Sequence, residues 1–137
     1  MINIWIIISI LVIHWIADFI LQDENWAINK WKSNYHLIAH TFTYTAFYVV
    51  IFDFYLIYRV YITSISPDEF IKLYMNMAYF VVITFIAHTI TDYFTSKITH
   101  KQYELKKFGS SIPNIGFFST IGFDQLLHYS QLFLTYY

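Results

Sequence analysis

The chain has 137 residues, 58% of them hydrophobic and only 12% charged, and its mean hydropathy is +0.48. A soluble domain carries about 25% charged residues, so this is the composition of a membrane protein, and 3 Gly and 2 Pro leave room for one compact domain with short loops. A net charge of −1 excludes the electrostatic footprint of a nucleic-acid binder, and the absence of Cys excludes disulfides and thiolate ligands, so any bound metal must be held by nitrogen and oxygen.

The pattern predicts an all-α protein, a four-helix transmembrane bundle running up-down-up-down over residues 1–137. The first span, about 2–21, is just long enough to cross roughly 30 Å of hydrocarbon. It lacks a basic leader and a small-residue cleavage site, so a cleaved signal peptide is not expected. Residues 22–34 read as a polar loop with Trp26 and Trp31 as interfacial anchors. The second span covers about 35–63. Ser66-Pro67-Asp68-Glu69 then reads as a helix start, with Ser66 as N-cap and Glu69 completing a capping box. The third span, about 68–97, continues into a Lys-rich stretch read as helix along the membrane surface. Gly109 to Gly116, containing Pro113, reads as a break, and the fourth span covers about 117–136.

Polar residues recur inside these spans at one spacing. His14, Asp18 and Gln22 are each four apart, which stacks them on one helix face. The same spacing joins His36 to His40, His88 to Asp92 and Asp124 to His128, so five of the six histidines have a His or Asp partner four residues away. Composition would supply a His, Asp or Glu at such a position for roughly one histidine in five, so the recurrence is not chance. Placing Asp in a spanning helix costs about 2.5–3.5 kcal/mol, which marks such residues as paired or functional. The four pairs fall late, early, late and early in successive spans, hence on one side of the bundle. The loops of that side hold Lys30, Lys32, Lys97, Lys101, Lys106 and Lys107, against Arg59 and Lys72 in the other connection. The positive-inside rule then puts the pairs toward the cytoplasm, with both termini outside.

His14, Asp18, His36, His40, His88, Asp92, Asp124 and His128 are therefore the candidate metal ligands, with proton relay or interhelical hydrogen bonding as the bland alternative. Carboxamides bind transition metals poorly but orient ligands well, so Gln22 and Gln125 are assigned to positioning ligands or substrate. Eight ligands suffice for two ions. Zinc suits the His and Asp set best, and manganese or iron would also fit. His100 reads as an interfacial histidine without a helical partner, Asp53 as a partner of Arg59 or Lys72, and the Tyr and Phe runs as lipid-facing or packing residues.

The motifs H-W-I-A-D-F-I-L-Q, N-K-W-K-S with the downstream His40, A-H-T-I-T-D-Y-F-T-S-K and F-D-Q-L-L-H resemble those of a family of short bacterial and phage membrane proteins known only as a domain of unknown function. The resemblance covers nearly the whole chain. It implies that His14, Asp18, Gln22, His40, His88, Asp92, Asp124, Gln125 and His128 occupy the family's motif positions, and a bacterial inner-membrane location; His36 has no such placement. A looser similarity is to inner-membrane metal-dependent hydrolases, and through them to zinc-dependent phospholipase C and single-strand nuclease enzymes, on the His88 and Asp92 type of pair alone. It implies phosphoester chemistry.

The expectation is thus a membrane-embedded metallohydrolase acting on a phosphate-containing lipid or nucleotide at the cytoplasmic leaflet. The alternatives are an ion or proton channel or transporter, and a phage product that binds a host membrane protein with the metal stapling its helices.

Overall fold

The computed structural model describes residues 4–109 and 116–136. Among them the chain is entirely helical, in the order α1 (Ile4–Trp15), a π-helical turn (Ile16–Ile20), α2 (Glu24–Asn29), α3 (Asn34–Tyr61), α4 (Pro67–Glu104) and α5 (Phe117–Tyr136). Pro113 and the start of the first span at Ile2 lie outside the described residues.

Three features depart from the expected elements. The first is the π turn, in which the Leu21 amide donates to the Ile16 carbonyl five residues back. It holds the buried pair Ala17 and Asp18; turns of this kind are rare and concentrate at functional sites. The second is α2, which replaces the expected loop. Asp23 caps it by accepting from the amides of Asn25 at 2.9 Å and Trp26 at 3.3 Å, satisfying two of the donors every helix start leaves unpaired. The third is the length of α4. Its start is the capping box read from Ser66 and Glu69, and it runs on as helix past Lys97 and Lys101 as expected, for 38 residues, about 57 Å, but it ends at Glu104, before Lys106 and Lys107.

A Schellman closure ends α4. The Lys107 amide donates to Gln102 and the Lys106 amide to Tyr103, which requires Lys106 at a φ of 54°. The chain then returns so closely that a Cβ on Gly116 would strike the Lys107 carbonyl oxygen and sit 2.7 Å from the Gly109 nitrogen. Both obstacles are backbone. Gly116→Ala is therefore expected to cost roughly 1–3 kcal/mol, read as a lower melting temperature in detergent, whereas Gly122→Ala, where a Cβ meets nothing within 4 Å, should be neutral or better.

Neighbouring helices run antiparallel. His14 meets Tyr44 while Asp18 meets His40; His40 meets His88 while Tyr48 meets Phe80; Asp92 meets His128 while Thr84 meets Gln131. The interior so formed is inverted relative to a soluble protein. The buried side chains among the described residues are eight apolar and eleven polar or charged, His14, Asp18, His40, His88, Asp92 and His128 among them. Large apolar side chains lie outside instead, such as Phe42, Phe54, Tyr61, Phe118 and Leu134. Soluble monomers do not expose apolar surface on this scale.

Two helices, α3 and α4, are long and apolar enough to cross a membrane. Only 33% and 11% of their most apolar windows is buried, so most of each apolar window lies on the surface. Ile4–Ile20 is apolar but shorter.

Candidate metal centre

Each helix brings its polar face inward at the same level. Thr84, His88, Asp92 and Thr95 are the buried polar residues of α4, and His40, Thr41, Tyr44, Thr45 and Tyr48 are buried on α3. Both sets recur at three and four residues, which makes each a single stripe. Where the stripes meet, two triads share His88: Asp18, His40 and His88, and His88, Asp92 and His128.

The spacing is that of ligand atoms rather than of packed side chains. In the first triad, His40 Nε2 is 3.2 Å from Asp18 Oδ1 and 3.2 Å from His88 Nε2, and Asp18 Oδ1 is 3.6 Å from His88 Nε2. Donors about 2.0–2.1 Å from a tetrahedral ion stand about 3.3–3.4 Å apart. In the second, Asp92 Oδ2 is 3.6 Å from His88 Nε2 and Oδ1 is 3.3 Å from His128 Nε2. Asp92 Oδ2 also lies 3.1 Å from His40 Nε2. The Asp92 carboxylate thus turns one oxygen to each side, as a bridging ligand does. Asp18 Oδ1 is buried with His40 Nε2 at 3.2 Å and His88 Nε2 at 3.6 Å, and neither contact has the geometry of a good hydrogen bond, so a cation between them would satisfy the oxygen better. The donors present fit a divalent ion.

Around the triads the hydrogen bonds have one consistent direction. Asp18 and Asp124 can only accept, so the Gln125 amide nitrogen faces them, donating to Asp18 Oδ2 at 3.1 Å and to Asp124 Oδ2 at 3.1 Å. Gln125 Oε1 therefore accepts from His14 Nε2 at 2.8 Å. With Nε2 donating, His14 Nδ1 accepts a hydrogen bond from the Tyr44 hydroxyl, 2.8 Å away, and Tyr48 is 3.3 Å from Tyr44. Thr95 donates to Asp124 at 2.6 Å. His88 is clamped between rings, stacked on Tyr44 at 3.9 Å and on His128 at 4.0 Å. The Nδ1 atoms of His88 and His128 have no hydrogen-bond partner among the described residues, so these imidazoles are held by stacking rather than by an acceptor behind them.

The sequence-derived ligands thus fall into three groups. Asp18, His40, His88, Asp92 and His128 form the triads. His14 and Asp124 adjoin them, at 3.7 Å from Asp18 and 3.3 Å from His128. His36 stands apart, half-buried beside Asn25 at 3.4 Å with Tyr35 edge-on to its ring. Gln125 sits at the centre of the hydrogen-bond network, and Gln22 lines the cavity with a buried amide nitrogen that has no partner among the described residues. Two peripheral expectations change. His100 does have a helical partner, Glu104 at 3.6 Å, and stacks on Trp31 at 3.6 Å; Arg59 donates to Tyr55 and Thr63, its own helical neighbours, rather than to Asp53.

Two functional residues were hidden in the sequence. Lys30, expected in a solvated loop, reaches inward and donates to Asp92 Oδ2 at 2.8 Å. Burial works against its charge, but Asp92 and Asp18 outweigh burial and hold the ammonium pKa above the ordinary lysine value. Tyr44, expected as packing, is fully buried and orders His14.

A cavity of about 620 Å³ opens onto the triads from the side of α2, lined by Asp18, Gln22, Lys30, Asp92, Asp124 and Gln125 among others. The opposite side is closed by Ile10, Tyr48, Phe80 and Leu132, with Phe52 packed against them. Comparison with protein-family models, curated proteins and solved structures finds no match to this chain.

Proposed function

We propose that this chain is a multi-pass protein of the bacterial inner membrane, related to the short bacterial and phage family it resembles, whose His and Asp cluster binds a divalent metal ion through one triad at a time, His88 Nε2 having a single lone pair to give, with zinc the best fit. It acts as a metal-dependent hydrolase on a phosphate-containing lipid or nucleotide at the cytoplasmic leaflet. The observation that carries this reading is the convergence of Asp18 Oδ1 and Asp92 Oδ2 on the His40 and His88 Nε2 atoms at 3.1–3.6 Å, all buried, in a site reached through an open cavity. A metal there would supply Lewis acidity and a water of lowered pKa. The chain itself would hold the Asp18 and Asp124 carboxylates with Gln125, keep His14 oriented through Tyr44, and exclude water from the far side with the Tyr48 and Phe80 plug. α1 and α5 complete a four-helix bundle in the bilayer around α3 and α4, with the Lys-rich side toward the cytoplasm.

The test is elemental analysis of detergent-purified protein, with about one metal equivalent per chain expected. Removing a metal held at 100 times its Kd costs about 2.7 kcal/mol, so chelation should lower the melting temperature by several degrees, and re-addition should restore hydrolysis of a phosphoester probe. Metal-free protein with unchanged melting would overturn the reading.

The directed chain from Tyr48 through Tyr44, His14 and Gln125 to the carboxylates favours proton relay as the second reading. That reading expects proton flux in sealed vesicles without metal, abolished by Tyr44→Phe. The closed apolar side weighs against a continuous path.

A further inference from the structure

Lys30 occupies the position where the metal reading has its greatest difficulty. Its ammonium lies 2.8 Å from Asp92 Oδ2, the oxygen that also faces His40 and His88. A divalent ion held by that oxygen and a lysine ammonium bonded to it would repel one another at a separation where like charges are strongly unfavourable in a poorly solvated site. Metal on Asp92 Oδ2 therefore weakens the hold of Lys30 on the same oxygen. The lysine is free to leave. It is the C-cap residue of α2, outside the long helices, its side chain keeps 17% of its surface exposed, and its flexible stem forms part of the cavity wall.

Its destination is legible from the unused donors. Only one hydrogen bond of the Lys30 ammonium is made among the described residues, so two of its three N–H groups remain for another acceptor. Gln22 contributes a buried amide nitrogen without a partner to the same cavity. Unsatisfied donors of both kinds, beside carboxylates that only a cation could neutralise, call for an anion that arrives together with the metal.

We infer that Lys30 is a built-in counter-charge, displaced from Asp92 when metal binds and then available with Gln22 to hold a phosphate anion, so that metal and phosphate enter this cavity cooperatively. The inference rests on the metal reading and deepens it. Lys30 keeps the empty site neutralised and the bundle folded; the phosphate group, of a lipid head or of a soluble compound, accepts the displaced charge. Coupling is reciprocal, so phosphate must tighten metal as much as metal tightens phosphate.

The experiment is a zinc titration of detergent-solubilised protein, free zinc being fixed by a chelator buffer, with and without inorganic phosphate and, separately, phosphatidic acid in mixed micelles. In the wild type either anion should tighten zinc about tenfold; coupling confined to the lipid identifies a headgroup, coupling to both a free phosphate. Lys30→Met should bind zinc about tenfold tighter than the wild type without any anion, and show no coupling. Lys30→Gln, which retains a donor toward Asp92, gives the same comparison if the methionine variant does not fold. Equal zinc affinity in wild type and variant, or undiminished phosphate coupling in the variant, overturns the role of Lys30 while leaving the metal site standing. Folded wild type and variant that both ignore zinc overturn the metal reading as well.

Discussion

Asp92→Ala is expected to lower the stability of the bundle by about 5 kcal/mol, the upper end of what removing one partner from a buried ion pair costs. One carboxylate meets His40, His88 and His128 at 3.1–3.6 Å and Lys30 at 2.8 Å. Its loss leaves the Lys30 ammonium without the only acceptor it has among the described residues. It also removes the group that turns an oxygen to each triad, so metal content should fall below one equivalent. Asp92→Asn separates the two effects, because an amide keeps the shape and one acceptor but carries no charge. It should melt above the alanine variant and still fail to retain metal. The measurements are thermal melting by circular dichroism in detergent and elemental analysis of the same samples. An Asp92→Ala protein that melts like the wild type, keeps its metal and retains function would overturn the role given to Asp92 and move the weight to proton relay or to an interaction role, such as binding a host membrane protein.

The parts of this site that could be read in advance are those whose geometry is local. A four-residue spacing on a helix fixes a shared face whatever the rest of the chain does, so Asp18, His40, His88, Asp92 and His128 could be singled out before their helices were assembled. Their convergence followed from depth along the chain. Lys30 carried no such signal, because its partner is 62 residues away in sequence and nothing distinguishes it locally from Lys32. Tyr44 did carry one that the abundance of tyrosine obscured: His36, His40, Tyr44 and Tyr48 are spaced by four, and the polar stripe continues through the hydroxyls. His36 belongs to that stripe by register but sits at its outer end, half-buried against Asn25, where spacing alone cannot report that the neighbouring helix has ended. The π turn at Ile16–Ile20 was invisible because no residue type specifies one. The capping box at Ser66 was legible because its two hydrogen bonds are specified by residue types three apart.

The two glutamines, alike in sequence, are expected to part company when replaced. Gln125 makes one hydrogen bond through its oxygen and two through its nitrogen, and these join α1, the π turn and α5. Gln125→Ala strands His14 Nε2 and Asp18 Oδ2, both on nearly fully buried side chains. Each orphaned group costs about 1–3 kcal/mol, more where it is charged, so the variant should lose about 3–5 kcal/mol. It should also loosen the first triad, because the Asp18 carboxylate then keeps its contact with His40 but loses the donor that fixes its other oxygen. Gln22, whose amide nitrogen has no protein partner, strands nothing when truncated, and Gln22→Ala should stay within about 0.5 kcal/mol of the wild type. Its effect belongs to the ligand instead: metal content unchanged, phosphate coupling and phosphoester hydrolysis weakened. Melting curves, metal content and turnover measured on both variants settle the division of labour. If Gln125→Ala keeps wild-type stability and Gln22→Ala loses it, the network drawn from Gln125 is wrong. If both are silent in every readout, neither glutamine positions anything, and the cavity beside the triads is not where a substrate sits.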